Sequence, residues 1–171
     1  MTWRTAAWAI YFLCLAVAVF GADGKPDYAQ VDRWIEKLDT TLPINLIKSV
    51  AWQESRWRQF ENGKPHIHGN DIGIMQVNET TARLFGFDVD RLKWDTRYNL
   101  SCGVKILQSK VRYVARLKQS TDWPAISKRY ALSGLTDLEL AIIAYNGFSR
   151  DHLYLIVVYR AWINKPWTKY F

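Results

Sequence analysis

Ala51-Trp52-Gln53-Glu54-Ser55-Arg56-Trp57 closes a stretch in which Ile47, Val50, Ala51 and Glu54 stand at i, i+3, i+4 and i+7. That spacing is the stripe of a buried helix face. It places a carboxyl group on a surface otherwise built of hydrocarbon. Burial disfavours the ionised form, so the pKa of Glu54 is expected to rise. Keeping the proton near neutral pH requires a rise of roughly two to three pKa units from about 4.3, or about 3–4 kcal/mol against ionisation. The plainer reading is a helix-terminal Glu paired at the surface with Arg56 or Arg58. The segments downstream decide between the two.

Gly69-Asn70-Asp71-Ile72-Gly73-Ile74-Met75-Gln76-Val77-Asn78 is rich in turn formers. The short alternation of Ile72, Ile74 and Gln76 suits a small irregular hairpin. Gly73, lacking a side chain, allows close approach of the backbone to a ligand. Gln76 and Asn78 offer amide donors and acceptors to a polar substrate. Further along, Thr136-Asp137-Leu138-Glu139 has the form of a capping box and opens a helix. Leu138, Ala141, Ile142 and Tyr145 then repeat at helical spacing, and Asn146-Gly147 stops the helix. Tyr145 therefore sits at the inner end of its helix, as Glu54 does. An inward phenol needs a hydrogen-bond partner. A buried carboxyl is one candidate, and a bare core tyrosine is the alternative.

Four segments in this order, Glu54-Ser55, Gly73-Ile74-Met75-Gln76, Asn99 to Gly103 before Ile106-Leu107, and Ala144-Tyr145-Asn146-Gly147, resemble the successive motifs of the soluble lytic transglycosylase catalytic domain. The resemblance runs from about Pro43 to Gly147. It implies a goose-lysozyme-like fold and cleavage of bacterial peptidoglycan glycan strands without a cofactor. It also implies Glu54 as sole catalytic acid/base, oriented by Tyr145, with Gln76 and Asn146 lining the sugar groove. Ser55, Met75 and Asn78, which stand in or beside the same motifs, complete the expected substrate-binding set. Three departures stand out. His66, His68 and Asp71 precede Gly73 where the family commonly has small residues. Phe148-Ser149-Arg150 replaces the usual Ala-Gly-Pro, and no Glu-Thr-x-x-Tyr segment occurs near the C-terminus. These departures look like the small specialised enzymes that accompany secretion and conjugation machines.

Glycosidases usually pair two carboxyl groups. Glu61, Asp71, Glu79, Asp88 and Asp95 are the candidates for a second acid; Asp71 lies nearest the motif, where it could equally brace the turn. Without a second acid the substrate must supply what is missing, through the N-acetyl group and the C6 hydroxyl of muramic acid, giving a 1,6-anhydro end. Two other readings stay open: a lysozyme-type muramidase that hydrolyses the same bond, and a non-catalytic peptidoglycan-binding component of an envelope-spanning machine. His66-x-His68 with Glu61 or Asp71 invites a metal site, but the spacing is non-specific and no metal is expected.

Arg4 is followed by an uncharged run from Thr5 to Ala22, apolar from Ala6 to Phe20, with small residues at Gly21 and Ala22. This pattern reads as an export signal over residues 1–22, cleaved after Gly21 or Ala22, rather than an uncleaved anchor. Residues 23–171 then form a single domain in the periplasm or cell envelope, expected to be a monomer. Loss of the signal leaves Cys102 alone, most simply a packed thiol. Helices are expected over Ala29–Leu38, Pro43–Glu54, Thr80–Gly86, Thr96–Lys118, Trp123–Leu132, Thr136–Tyr145 and Asp151–Asn164, with Asp122 as a possible cap. Strand signals are confined to the Ile72–Val77 region, so the fold class is mainly α, with a small β-hairpin around residues 70–78. The net charge of +7 suits an anionic wall or phospholipid surface. Lys and Arg are too scattered for a nucleic-acid footprint, and membrane contact is expected only through an uncleaved N-terminal segment. Of the nine Trp and nine Tyr, Trp52, Trp57 and Trp94 are expected near a groove. Trp162, Trp167, Tyr170 and Phe171 are expected to divide between core and surface.

Overall fold

The computed structural model describes residues 26–171; the expected signal over 1–22 and Cys14 lie outside the described residues. The chain order is α1 (Tyr28–Glu36), α2 (Ile44–Ser55), short strands β1 (Phe60–Glu61), β2 (Lys64–Pro65), β3 (Ile67–His68), β4 (Asp71–Ile72) and β5 (Val77–Asn78), then α3 (Glu79–Leu84), α4 (Val89–Trp94), α5 (Thr96–Leu117), α6 (Trp123–Tyr130), α7 (Asp137–Asn146) and α8 (Leu153–Asn164), with a closing 3₁₀ turn over Pro166–Tyr170. The fold is mainly helical with small antiparallel strand pairs, the mainly-α lysozyme-like class expected from the sequence.

The seven expected helices are present with no end displaced by more than two residues, and α4 is an eighth. Six residues complete fewer than two turns, too few for a periodic signal. The strands are also more numerous than expected. β1 pairs with β2, and β3, β4 and β5 form a three-stranded antiparallel sheet in which Asp71 faces His68 on one side and Asn78 on the other. Each strand is two residues long, so alternation has no room to show.

Local chemistry accounts for the helix ends. At the start of α7 the Thr136 hydroxyl accepts from the Glu139 backbone N–H at 3.3 Å, while the Glu139 carboxylate accepts from the Thr136 backbone N–H at 2.7 Å. This is the reciprocal capping box the sequence suggests. Gly147 ends α7 with φ +93°. Asp95 and Asn78 cap α5 and α3 through their side chains. Asp122 flanks α6 but makes no side-chain cap bond. After α2, Arg56 and Trp57 both adopt positive φ (57° and 62°), turning the chain so that the Trp57 indole N–H donates to the Lys48 carbonyl at 3.0 Å.

The core lies where α2 packs on α8 and α5 packs on α7. Beside it Trp57 stacks on Trp167 with ring centroids 5.4 Å apart, and Trp52 meets Trp57 edge-on at 6.0 Å. Trp52 and Trp57 are thus core residues and not groove residues, with 6% and 1% of their surface exposed. The aromatic side chains coming from the C-terminal turn leave them no face for a sugar. Trp94 remains exposed; Trp167 is buried, Tyr170 stacks on Tyr28, and Phe171 is exposed. Cys102 is a buried free thiol.

Gly103, in the middle of α5, is required by close packing. A β-carbon there would lie 2.4 Å from the Met75 Cβ and 2.6 Å from its Cγ. Helix propensity favours Ala over Gly by about 1 kcal/mol, yet the Met75 backbone is fixed and cannot withdraw. Gly103→Ala is expected to destabilise the domain by about 1–3 kcal/mol in urea unfolding. An unchanged or raised midpoint would show that the Met75 loop is free to yield.

Candidate functional site

Two buried carboxamides build the floor of the site. Gln59 follows the turn after α2 and is 3% exposed; Asn99 lies in the first turn of α5 and is fully buried. Gln59 Nε2 donates to the Leu92 and Lys93 carbonyls at 2.8 and 2.9 Å, and its Oε1 accepts from the Ile74 N–H at 3.0 Å. Asn99 Nδ2 donates to the Ile72 carbonyl at 2.8 Å and to the Leu92 carbonyl at 3.1 Å, and its Oδ1 accepts from the Met75 N–H at 3.0 Å. The Ile72–Met75 loop is thereby fixed to the end of α4 and the start of α5. Such groups, if left unpaired, would each cost about 1–3 kcal/mol. Gly73 serves this clamp: with φ +73°, its absent β-carbon would fall 2.4 Å from Asn99 Nδ2 and 2.5 Å from Gln59 Oε1. The close approach expected at Gly73 is therefore made to two amide side chains of the protein itself.

Several expected substrate contacts belong to the same scaffold. Ser55 is 2% exposed, and its hydroxyl donates to the Ile74 carbonyl at 2.8 Å while accepting from the Arg58 N–H at 3.0 Å. Met75 is fully buried against Gly103. Neither side chain has surface left for a sugar, which corrects the expectation for both. Asn78 Oδ1 accepts from the Thr80 and Thr81 N–H groups, and its Nδ2 donates to Asp71 Oδ1 at 2.9 Å. Its amide is spent on capping α3 and bracing Asp71. Gln76 is half-buried in a left-handed turn with φ +45°, and its Nε2 donates to the Gly73 carbonyl at 2.8 Å. Its Oε1 accepts no protein hydrogen bond among the described residues. Asn146 is exposed at the end of α7.

The Glu54 charge reaches Tyr145, but the two side chains do not bond to each other. Tyr145 donates its hydroxyl proton to the Met75 carbonyl at 2.9 Å. The hydroxyl that donates to Glu54 Oε1 is that of Tyr154, from the first turn of α8. The expectation that Tyr145 orients Glu54 is corrected accordingly: the carbonyl of Met75, whose N–H is held by Asn99, accepts the Tyr145 hydrogen bond. Sequence reasoning missed Tyr154, although Tyr154, Val158 and Ala161 carry the same i, i+4, i+7 signal by which Glu54 stood out. Gln59 follows two left-handed residues and carries no such signal.

The electrostatics follow from these contacts. Burial pushes the Glu54 carboxyl up from its ordinary value near 4.5 to about 7, against the downward pull of the Tyr154 hydrogen bond and with a further upward push from the Asp71 charge. Burial also pushes the phenols of Tyr145 and Tyr154 well up, with the Glu54 charge adding to it, so both remain hydrogen-bond donors near neutral pH. Of the other expected second acids, Glu61 pairs with Arg58, Glu79 with Arg83, and Asp95 with Arg91, while Asp88 caps α4. Asp71 is the member of that group whose charge reaches Glu54. His66 Nδ1 lies 3.4 Å from Glu61 Oε2, and His68 is exposed. No group of three or more His, Cys, Asp or Glu among the described residues is arranged to hold a metal ion.

The site thus joins a proton held near neutrality, a hydroxyl donor that fixes it, and polar groups on an adjacent rigid loop. The family model described as Transglycosylase SLT domain matches residues 34–153. The chain belongs to this family, the lytic transglycosylase catalytic domain of the lysozyme-like superfamily. Its function is in general that of a lytic-transglycosylase-type protein acting on peptidoglycan. The match is wider than the four motifs and stops one residue short of Tyr154. Neither the curated proteins nor the solved structures contain a match to the chain.

A carboxyl whose pKa is higher folded than unfolded destabilises the fold once it must ionise. Glu54 costs nothing below its unfolded value near 4.5; the cost grows as pH rises and levels off above about 7. Glu54→Gln keeps the shape and cannot ionise. It is expected to match the native protein in stability at pH 4 and to exceed it at pH 8 by about 3 kcal/mol. Urea titrations at the two pH values measure this, and a stability difference independent of pH would contradict the placement of the carboxyl.

Proposed function

We propose that the protein is an exported lytic transglycosylase in which Glu54 alone acts first as acid and then as base. The observation that carries this reading is the Glu54 carboxyl itself, raised to about 7 and held by the Tyr154 hydroxyl. A group with a pKa near the working pH can both give and take a proton. Glu54 donates its proton to the glycosidic oxygen as the bond to C1 of the muramic acid breaks. The N-acetyl group of that sugar stabilises the positive charge at C1, a substrate-assisted route. The C6 hydroxyl oxygen then bonds to C1 while the Glu54 carboxylate takes its proton. Glu54 is restored, no water is consumed, and the product ends in 1,6-anhydro-muramic acid. The intramolecular attack gains an effective molarity of roughly 10⁵ M or more when well oriented.

Tyr154 is the positioning residue in this scheme, holding the carboxyl by one oxygen and leaving the other for the sugar. Gln76 Oε1 and the exposed Asn146 amide would face the glycan, and Tyr145 would brace the loop that carries Gln76. The apolar run after Arg4 supports export to the periplasm or envelope. The Phe148-Ser149-Arg150 departure supports service within a secretion or conjugation apparatus. One observation favours a second reading. The Asp71 charge reaches Glu54, so a water set between them would make the protein a muramidase.

Digestion of purified peptidoglycan separates these readings by the mass of the released muropeptides. Products lighter by one water than the hydrolytic set are expected, with the rate of Glu54→Gln lower by at least about a hundredfold. Reducing-end products that depend on Glu54 would move the assignment to hydrolysis with Asp71. Near-normal activity of a folded Glu54→Gln protein would remove Glu54 from the mechanism.

A further inference from the structure

Helix α8 is apolar on both sides. Its inner side carries Tyr154 toward Glu54 and buries Leu155, Val158 and Ala161. Its outer side presents Leu153, Ile156 and Ile163, which are 58%, 42% and 79% exposed. Leu153, Ile156, Arg160 and Ile163 follow at i, i+3, i+7 and i+10, a continuous stripe on one face. A helix in water ordinarily turns charged residues outward, and one that is apolar all round has a further surface to cover.

The charges around the stripe specify what covers it. Arg160 lies within it, and Arg150 and Lys165 flank its two ends. None of the three makes an ion pair among the described residues. The neighbouring acid, Asp151, is engaged at the helix start, accepting from the Ser149 hydroxyl and the Leu153 N–H. The positive bias extends beyond α8: residues 97–171 hold twelve Lys and Arg against four Asp and Glu.

We infer that the outer face of α8 docks on an anionic phospholipid surface, with Leu153, Ile156 and Ile163 entering the headgroup boundary and Arg150, Arg160 and Lys165 meeting lipid phosphates. Apolar side chains gain from hydrocarbon and cations from anionic headgroups, the combination that holds an amphipathic helix in an interface. A soluble polyanion would satisfy the cations and leave the isoleucines in water. The inference stands apart from the catalytic assignment, because it uses the side of α8 opposite Tyr154. It gives the enzyme a fixed attitude at the membrane, with the Glu54 side of the helix turned away from lipid.

The test uses the full chain with Cys14→Ser and an environment-sensitive dye on Asn164→Cys, at the edge of the stripe; native Cys102 is buried. With vesicles of mixed phosphatidylglycerol and phosphatidylcholine, the dye emission is expected to shift to the blue, and added salt should weaken the response. A dye on Leu84→Cys, exposed on α3, should stay unchanged. Ile156→Asn with Ile163→Asn, checked for native circular dichroism, should weaken the response at least about tenfold. Four results would overturn the inference. Vesicle binding with no change at position 164 would mean attachment through the N-terminal run. An equal response to pure phosphatidylcholine would remove the role of the cations. A blue shift without lipid that grows with protein concentration would assign the face to a second copy of the chain. A response undiminished in the double variant would detach the stripe from the binding.

Discussion

The site depends on two amide side chains buried where the chain could have placed hydrocarbon. Gln59 and Asn99 take up backbone groups of Ile72, Ile74 and Met75 and of the last turn of α4, so a loop without regular pairing is held as firmly as a strand. Buried polar groups stabilise only when fully satisfied, and this arrangement satisfies them. Its consequences spread outward. Gly73 and Gly103 must lack side chains, because one faces the amides and the other faces Met75. The Ile74 carbonyl receives Ser55 from the end of α2, and the Met75 carbonyl receives Tyr145 from the end of α7. Four helices, α2, α4, α5 and α7, are thereby registered against one loop.

Glu54 stands beside that registered assembly, and its chemistry is decided by competing effects of which burial is the largest. Burial opposes ionisation, the Tyr154 hydroxyl favours it, and the Asp71 charge opposes it again; the net result is a proton held to about 7. An arginine placed where Tyr154 stands would have produced a permanent carboxylate. A neutral donor fixes the geometry of the carboxyl and leaves the proton available. The same balance destabilises the fold at neutral pH, the kind of cost an active site carries and the surrounding packing offsets.

Much of this was legible in the sequence, and the physical reason differs from part to part. The stripes Ile47-Val50-Ala51-Glu54 and Leu138-Ala141-Ile142-Tyr145 are long enough for periodicity to reveal their helices and inward residues. The Thr136–Glu139 box is a local interaction that needs no tertiary context. The partner of Tyr145 was not legible, since choosing between the Glu54 carboxyl and the Met75 carbonyl requires the position of the loop. Ser55 and Met75 adjoin the expected functional residues, but adjacency along a chain does not fix which way a side chain faces. Residue type alone points Trp52 and Trp57 toward a groove; the C-terminal Trp167, more than a hundred residues away, packs against both. Gln59 follows two left-handed residues, where no periodic pattern applies, and α4 and the two-residue strands are too short to carry one.

Direct titration of the Glu54 carboxyl tests the central claim most closely. Carbon-13 labelling of the glutamate side chains, with Glu54→Gln to assign the resonance, gives the protonation midpoint of this one group in the folded protein. A midpoint near 7 is expected, above the ordinary carboxyl value of 4.5. A midpoint near the ordinary 4.5 would mean that Glu54 is an ionised surface carboxylate, and the acid-then-base scheme would lose its proton.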